Sequence, residues 1–193
     1  MMSLQRHIEV LVGFAYSRKL ASILQARQLR LCVLPAVTSA SPDFPCTLAD
    51  WETTMALFIE RHGLSPHKDG VLEDARAMAE YLGGNTLRVH AECRLVVTLM
   101  ERQGPAAVSY IGVSKLSCRA CAAWLSSLQS VYGIRFSTKG CHGKWYPGWD
   151  LPQIPTRSQD DLENVLKLNS LFKSKIEGAY LDYVQRQGRG LGG

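Results

Sequence analysis

No apolar run in the sequence approaches the ~18–20 residues that a membrane-spanning helix needs, so the chain reads as soluble. It also lacks a polybasic run: the 22 Lys and Arg exceed the 17 Asp and Glu only modestly, to a formal net charge of +5. A nucleic-acid-binding arm is therefore not marked, and nucleic acid is permitted as a partner without being indicated. The six cysteines, Cys32, Cys46, Cys93, Cys118, Cys121 and Cys141, are too few and too unevenly placed for a disulfide scaffold in a chain of 193 residues. That points to a reducing, intracellular setting, cytoplasmic or nuclear. A secretory signal is not expected, because Arg18 and Lys19 interrupt a short apolar stretch. There is no internal repeat and no low-complexity segment.

What is there suffices for one well-buried core, since 46% of the residues are hydrophobic. Residues 1–42 hold five basic residues (Arg6, Arg18, Lys19, Arg27, Arg30) and one acidic residue, Glu9. This bias is that of a mitochondrial transit peptide. The simpler reading is an amphipathic helix packed on the core, because Ile8, Leu11, Val12 and Ala15 recur at helical spacing. The expected organisation is an N-terminal helical extension and linker over residues 1–45, a main domain over 46–185 with its core at 85–150, and a flexible tail at 186–193.

Periodicity predicts helices near 4–28, 48–61, 72–82, 91–102, 118–131 and 160–185. Short strands are expected at 29–33, 87–90, 107–113 and 134–137. The β-α-β-α-β alternation from residue 87 to residue 137 implies crossovers, a mainly parallel sheet and helices packed over it. The fold class expected is a three-layer α/β/α sheet with additional N-terminal and C-terminal helices.

Two fragments within this alternation carry chemistry. His90 and Glu92 open the first helix, and Cys118 and Cys121 open the second. Zinc takes nitrogen and sulfur ligands in a tetrahedron, and a catalytic zinc takes three from the protein so that one corner stays open. Two cysteines three residues apart on a first helical turn face one side, and the positive end of the helix favours their thiolates. His90 supplies a third ligand if both helices start at one edge of a sheet. Glu92 is then free to take a proton from water at the open corner and pass it to a leaving group.

The order of His-x-Glu and Cys-x-x-Cys, and their strand-before, helix-after context, agree with a known zinc deaminase pattern. Residues 85–137 resemble the core of the cytidine deaminase superfamily, and the flanking "SKLSCRAC" and "HGKWYP" resemble a group of fungal deaminase-like proteins. The resemblance implies Zn²⁺ as cofactor, held by His90, Cys118 and Cys121, with Glu92 as the catalytic proton shuttle. It implies a zinc-dependent hydrolase acting on a nucleobase, nucleoside or related amine-bearing ring, a nucleic acid included. Related folds often form homo-oligomers. The sequence departs from the family at Ser117, where the general pattern has Pro, and Ser there is expected to cap the Cys helix instead. A β-hairpin pattern before Leu87 is also missing.

Further residues have two readings each. His142 and Trp145, with Tyr146 and Trp149 nearby, could bind substrate by stacking on a planar base. Equally, "HGKWYPGW" could be a packed loop whose aromatics plug the core. Ser114 could touch substrate from a rim beside the Cys pair, or lie in a plain connecting loop. Cys93 is expected to pack in the core.

Against the enzyme stand two competing functions. A zinc-stabilised interaction module on the same fold would need a fourth ligand, from Cys141 or His142, to close the tetrahedron. A thiol redox protein built on Cys118 and Cys121 would leave His90 and Glu92 without roles.

Overall fold

The structure is a computed structural model that describes residues 47–84, 87–101, 111–112, 115–146 and 148–189, together with Glu9, Val12, Gly13 and Tyr16. The chain divides into two units, Met1–Pro35 and Ala36–Gly193. In the first unit the four described residues are helical and exposed. The expected strand at 29–33, the linker before residue 46, Cys32, Cys46 and Ser114 lie outside the described residues.

The described residues of the second unit form five α-helices: α1 Leu48–His62, α2 Lys68–Gly84, α3 Ala91–Glu101, α4 Arg119–Tyr132 and α5 Gln159–Arg189. Local chemistry sets several of their ends. Thr47 and Asp50 form a reciprocal capping box: Thr47 Oγ1 accepts from the Asp50 N–H at 3.2 Å, and Asp50 Oδ2 accepts from the Thr47 N–H at 3.0 Å. Helix α1 ends where Gly63 turns left-handed (φ 63°), a conformation that costs glycine little, and Gly133 (φ 68°) ends α4 in the same way.

Two apolar clusters hold the helices together. One joins Phe58, Ile59, Leu64 and Val71 of the α1–α2 hairpin to Val184 of α5. The other surrounds Trp124 and Leu128 of α4, both fully buried, with Val96 and Val97 of α3, Trp149, and Leu168 and Phe172 of α5. Helix α5 serves both. Leu168, Phe172, Ile176, Tyr180 and Val184 step by four residues, so the stripe slants around the helix by about 40° per step. Its first half therefore faces one cluster and its second half the other.

The expected three-layer α/β/α sheet is not what forms. Among the described residues there is no strand: isolated parallel bridges pair Arg88 with Trp149 and Ser117 with Cys141, and Ser137 is a further single bridge residue. Ile111 adds a single N–H bond to the Ser137 carbonyl, at 2.8 Å, and neither Ile111 nor Gly112 lies in a strand. The rest of the expected strand at 107–113 lies outside the described residues.

The Arg88 bridge shows why pairing stops. Arg88 donates to Gly148 O at 2.9 Å and accepts from Asp150 N at 3.0 Å. One step further, a parallel ladder would need an N–H from residue 152 for the His90 carbonyl. Residue 152 is Pro, which has none, and the His90 carbonyl is taken at 2.9 Å by the Arg94 N–H that starts α3. At the second bridge α4 begins two residues after Ser117, and Arg119 N bonds Lys144 O at 2.9 Å instead of extending a ladder. The segment at 87–89 is thus an extended linker whose Val89 packs on the helices, while 134–136 is not in a strand and packs through Phe136. Beyond these, α5 runs four residues past its expected end at Gln185.

Candidate metal centre

Three potential ligands converge where α3 and α4 begin. His90 immediately precedes α3, Cys118 is the N-cap of α4 and Cys121 lies in its first turn. His90 Nδ1 is 3.4 Å from Cys118 Sγ and 3.3 Å from Cys121 Sγ, and the two sulfurs are 3.3 Å apart. All three donor atoms lie within 4.8 Å of one another. Both cysteines are free, with no disulfide between them.

The meeting does not depend on a sheet edge. It depends on the loop between Cys141 and Asp150, whose two ends clamp the segments that lead into the ligands. At one end Ser117 donates to Gly140 O at 2.8 Å and accepts from His142 N at 3.1 Å, fixing the residue before Cys118. At the other the Arg88–Trp149 bridge fixes the chain two residues before His90. Groups 28 residues apart in sequence are held together by a third segment that binds both.

Surroundings shape the sulfurs. Cys118 and Cys121 are 2% and 0% exposed, while His90 is half-buried. The Cys118 sulfur accepts from the Cys121 N–H at 3.4 Å, so it caps α4 itself. Ser117, expected to cap this helix, does not: its Oγ is buried and has no hydrogen-bond partner among the described residues. The Trp149 indole N–H donates to Cys121 Sγ at 3.2 Å. The Cys93 thiol, fully buried, is hydrogen-bonded with the Cys121 sulfur.

The surroundings of the two sulfurs favour the thiol form. The Cys118 thiol is pushed up to about 12, first by its hydrogen bond with Cys121 and then by burial. At Cys121 the Cys118 hydrogen bond pulls downward, but the Cys93 hydrogen bond, burial and nearby negative charge outweigh it, so this thiol too is raised. His90 is raised chiefly by its hydrogen bond with Cys118. It is the convergence of one imidazole nitrogen and two sulfurs within 4.8 Å that suits a cation, whose binding would displace the thiol protons. The donor set is the one that zinc prefers. Tetrahedral bonds of ~2.0–2.3 Å would separate the donors by roughly 3.5–3.8 Å, so the triad needs to open by only a few tenths of an ångström.

Glu92, half-buried in the first turn of α3, makes no side-chain hydrogen bond or ion pair with a described residue. Its carboxylate is close enough that its negative charge raises His90, Cys93 and Cys121. His142 reaches the same place through Tyr146, whose ring centroid lies 5.6 Å from that of His142 and 5.9 Å from that of His90. Trp145 turns elsewhere, with Arg119 Cζ 5.9 Å from its ring centroid.

Neither candidate fourth ligand points at the triad. Cys141 is exposed, and its sulfur accepts from Gly143 N at 3.3 Å. His142 Nδ1 accepts from Lys144 N at 3.0 Å. Sequence reasoning left Trp149 and Cys93 without a role at the sulfurs. For Trp149 the signal was its place in an aromatic-rich loop, and for Cys93 nothing but proximity to His90.

Among the described residues no helix is long and apolar enough to cross a membrane. No curated protein and no solved structure matches the chain. Residues 89–153, about a third of the chain, match a family described as OTT_1508_deam-like deaminase. That span runs from the residue before His90 to the residue after the proline that ends the Arg88 bridge, and so takes in both halves of the triad and the loop that joins them. Residues 89–153 are thus like a deaminase domain of this family, a member of the cytidine deaminase-like clan.

Proposed function

We propose that the protein is a zinc-dependent hydrolytic deaminase acting on a nucleobase, nucleoside or related amine-bearing ring. The observation that carries this reading is the convergence of His90, Cys118 and Cys121 within 4.8 Å, with the Glu92 carboxylate beside them and engaged by no described residue. Zinc held by these three residues would supply Lewis-acid activation of water.

The chain supplies the rest. Glu92 accepts a proton from the attacking water and returns it to the departing nitrogen, so the carbon–nitrogen bond breaks, a carbonyl replaces the amine and ammonia leaves. Trp149 and the α4 N-terminus direct N–H groups at the ligand sulfurs and hold their orientation. Tyr146, exposed between His90 and His142, offers a face on which a planar ring can stack at the centre. An open corner speaks for an enzyme over a closed structural site, since Cys141 and His142 are engaged by backbone N–H groups of their own loop.

The test is metal analysis and ammonia release on one preparation of the full chain, assayed against a panel of amine-bearing bases, nucleosides and oligonucleotides. About one zinc per chain, with ammonia released from at least one compound, is expected. Metal-loaded protein that releases none across the panel would overturn the catalytic reading.

A further inference from the structure

The charges of this chain are segregated in sequence. Between Glu101 and Asp150 there is no Asp or Glu, while Arg102, Lys115, Arg119, Arg135, Lys139 and Lys144 all fall in that interval. Its charge of +6 exceeds that of the whole protein, +5. The same interval contains Cys118, Cys121 and the aromatic loop, and its five described cations are all exposed. Desolvated ion pairs do not account for them: none of the five makes a salt bridge with a described residue. A positive field around an active site concentrates anions there.

The two exposed aromatics of the loop are neighbours in sequence and face different places. Tyr146 lies against His90 and His142, at the centre. Trp145, 40% exposed, lies against Arg119 and lines a groove of about 390 Å³ between α4 and α5, together with Ala122, Lys175, Gly178 and Asp182. Asp182 is the carboxylate among these lining residues, set against the two cations Arg119 and Lys175. The groove begins next to the triad on both sides, since Arg119 follows Cys118 and Trp145 precedes Tyr146.

From this we infer that the substrate is a single-stranded polynucleotide, with the reacting base at Tyr146 and the adjoining base on Trp145, and with its phosphates on Arg119, Lys175 and the neighbouring Lys144. The inference rests on the deaminase reading and names the substrate class of the same site. A free nucleoside has no charge to meet such a field. A mononucleotide has one base and one phosphate, which leaves the second aromatic and most of the cations unused. Stacking platforms set along a cationic track are what a single strand requires.

The experiment measures binding apart from turnover. A dye-labelled 15-residue oligothymidylate, which carries no exocyclic amine, is titrated with the full zinc-loaded chain while fluorescence anisotropy is read over a salt series. Binding should weaken steeply with salt. Trp145→Ala should weaken it by roughly 5- to 150-fold, as loss of one stacked base does.

Gly178 provides a second variant that leaves the core alone, because a Cβ there meets nothing within 4 Å. Gly178→Glu, which puts a carboxylate into the groove, should weaken binding at least 5-fold, whereas Gly178→Ala should not. Binding unchanged in both Trp145→Ala and Gly178→Glu would overturn the inference. So would thymidine monophosphate competing as well, per molecule, as the 15-residue strand, which would make the ligand a mononucleotide. Binding that behaves as expected, with no ammonia released from any amine-bearing strand, would overturn the deaminase reading and leave the strand-binding groove standing.

Discussion

Trp149 donates its indole N–H to the sulfur of Cys121 at 3.2 Å while its ring packs 5.1 Å from that of Phe172, so one side chain joins the ligand set to the apolar core. The backbone of the same residue bridges Arg88, two positions before His90. Trp149 therefore restrains both halves of the triad.

Trp149→Phe keeps most of the packing and removes the donor. The expected result is a 10- to 100-fold loss of zinc affinity, the usual effect of deleting a hydrogen bond to a metal ligand. Competition against a chromophoric chelator measures it. An affinity equal to that of wild type would remove the indole N–H from the design of the centre.

Cys121→Ser removes a fully buried sulfur of the proposed ligand set. Metal content should fall, and melting temperature with it, because ion binding to the folded chain is coupled to folding. Chelation of the wild-type protein should lower its melting temperature in the same direction. Calorimetry with and without chelator decides the point; coincident transitions would mean that no metal stabilises this protein.

Glu92→Gln preserves size and removes the capacity to carry a proton. Zinc content and folding should persist while ammonia release falls by ~10²- to 10⁴-fold, the range of general acid–base groups. Equal turnover in the two proteins would exclude Glu92 from proton transfer.

Away from the centre, Tyr180 Oη donates to Asp74 Oδ2 at 2.7 Å and ties α5 to α2. Burial, and then the Asp74 carboxylate, raise the Tyr180 phenol above its ordinary value. A raised phenol binds its proton more tightly in the folded state. Its contribution to stability is therefore complete below the unfolded value of about 10 and is lost as pH rises beyond it. Tyr180→Phe should cost ~1.5–3 kcal/mol at neutral pH, as a lost hydrogen bond to a charged group does. It should also flatten the decline of stability above pH 10, and denaturant titrations of both proteins at pH 8 and pH 11 would show it. Parallel pH profiles would assign the alkaline loss to other groups.

The sequence by itself determined what depends on neighbours within a few residues. The capping pair Thr47 and Asp50, the stop at Gly63 and the apolar spacing of α4 are local matters, and the five described helices fall near the positions expected for them. Cys118, Cys121 and His90 were legible for a related reason: helix N-termini with a fixed ligand spacing impose their chemistry locally.

Only the tertiary structure decided the rest. Whether 87–90 and 134–137 pair into a sheet depends on which distant backbone groups are free to answer them. For 87–90, Pro152 and the start of α3 remove those groups. Alternating apolar residues look the same in a strand and in an extended linker packed on helices, so periodicity alone could not separate the two. The loop between Cys141 and Asp150 likewise shows nothing in its own sequence of the two segments it clamps, nor of the N–H that Trp149 directs at a sulfur 28 residues away. Such contacts are fixed when the chain closes on itself, by backbone groups that must find partners and by side chains that fill the space between helices.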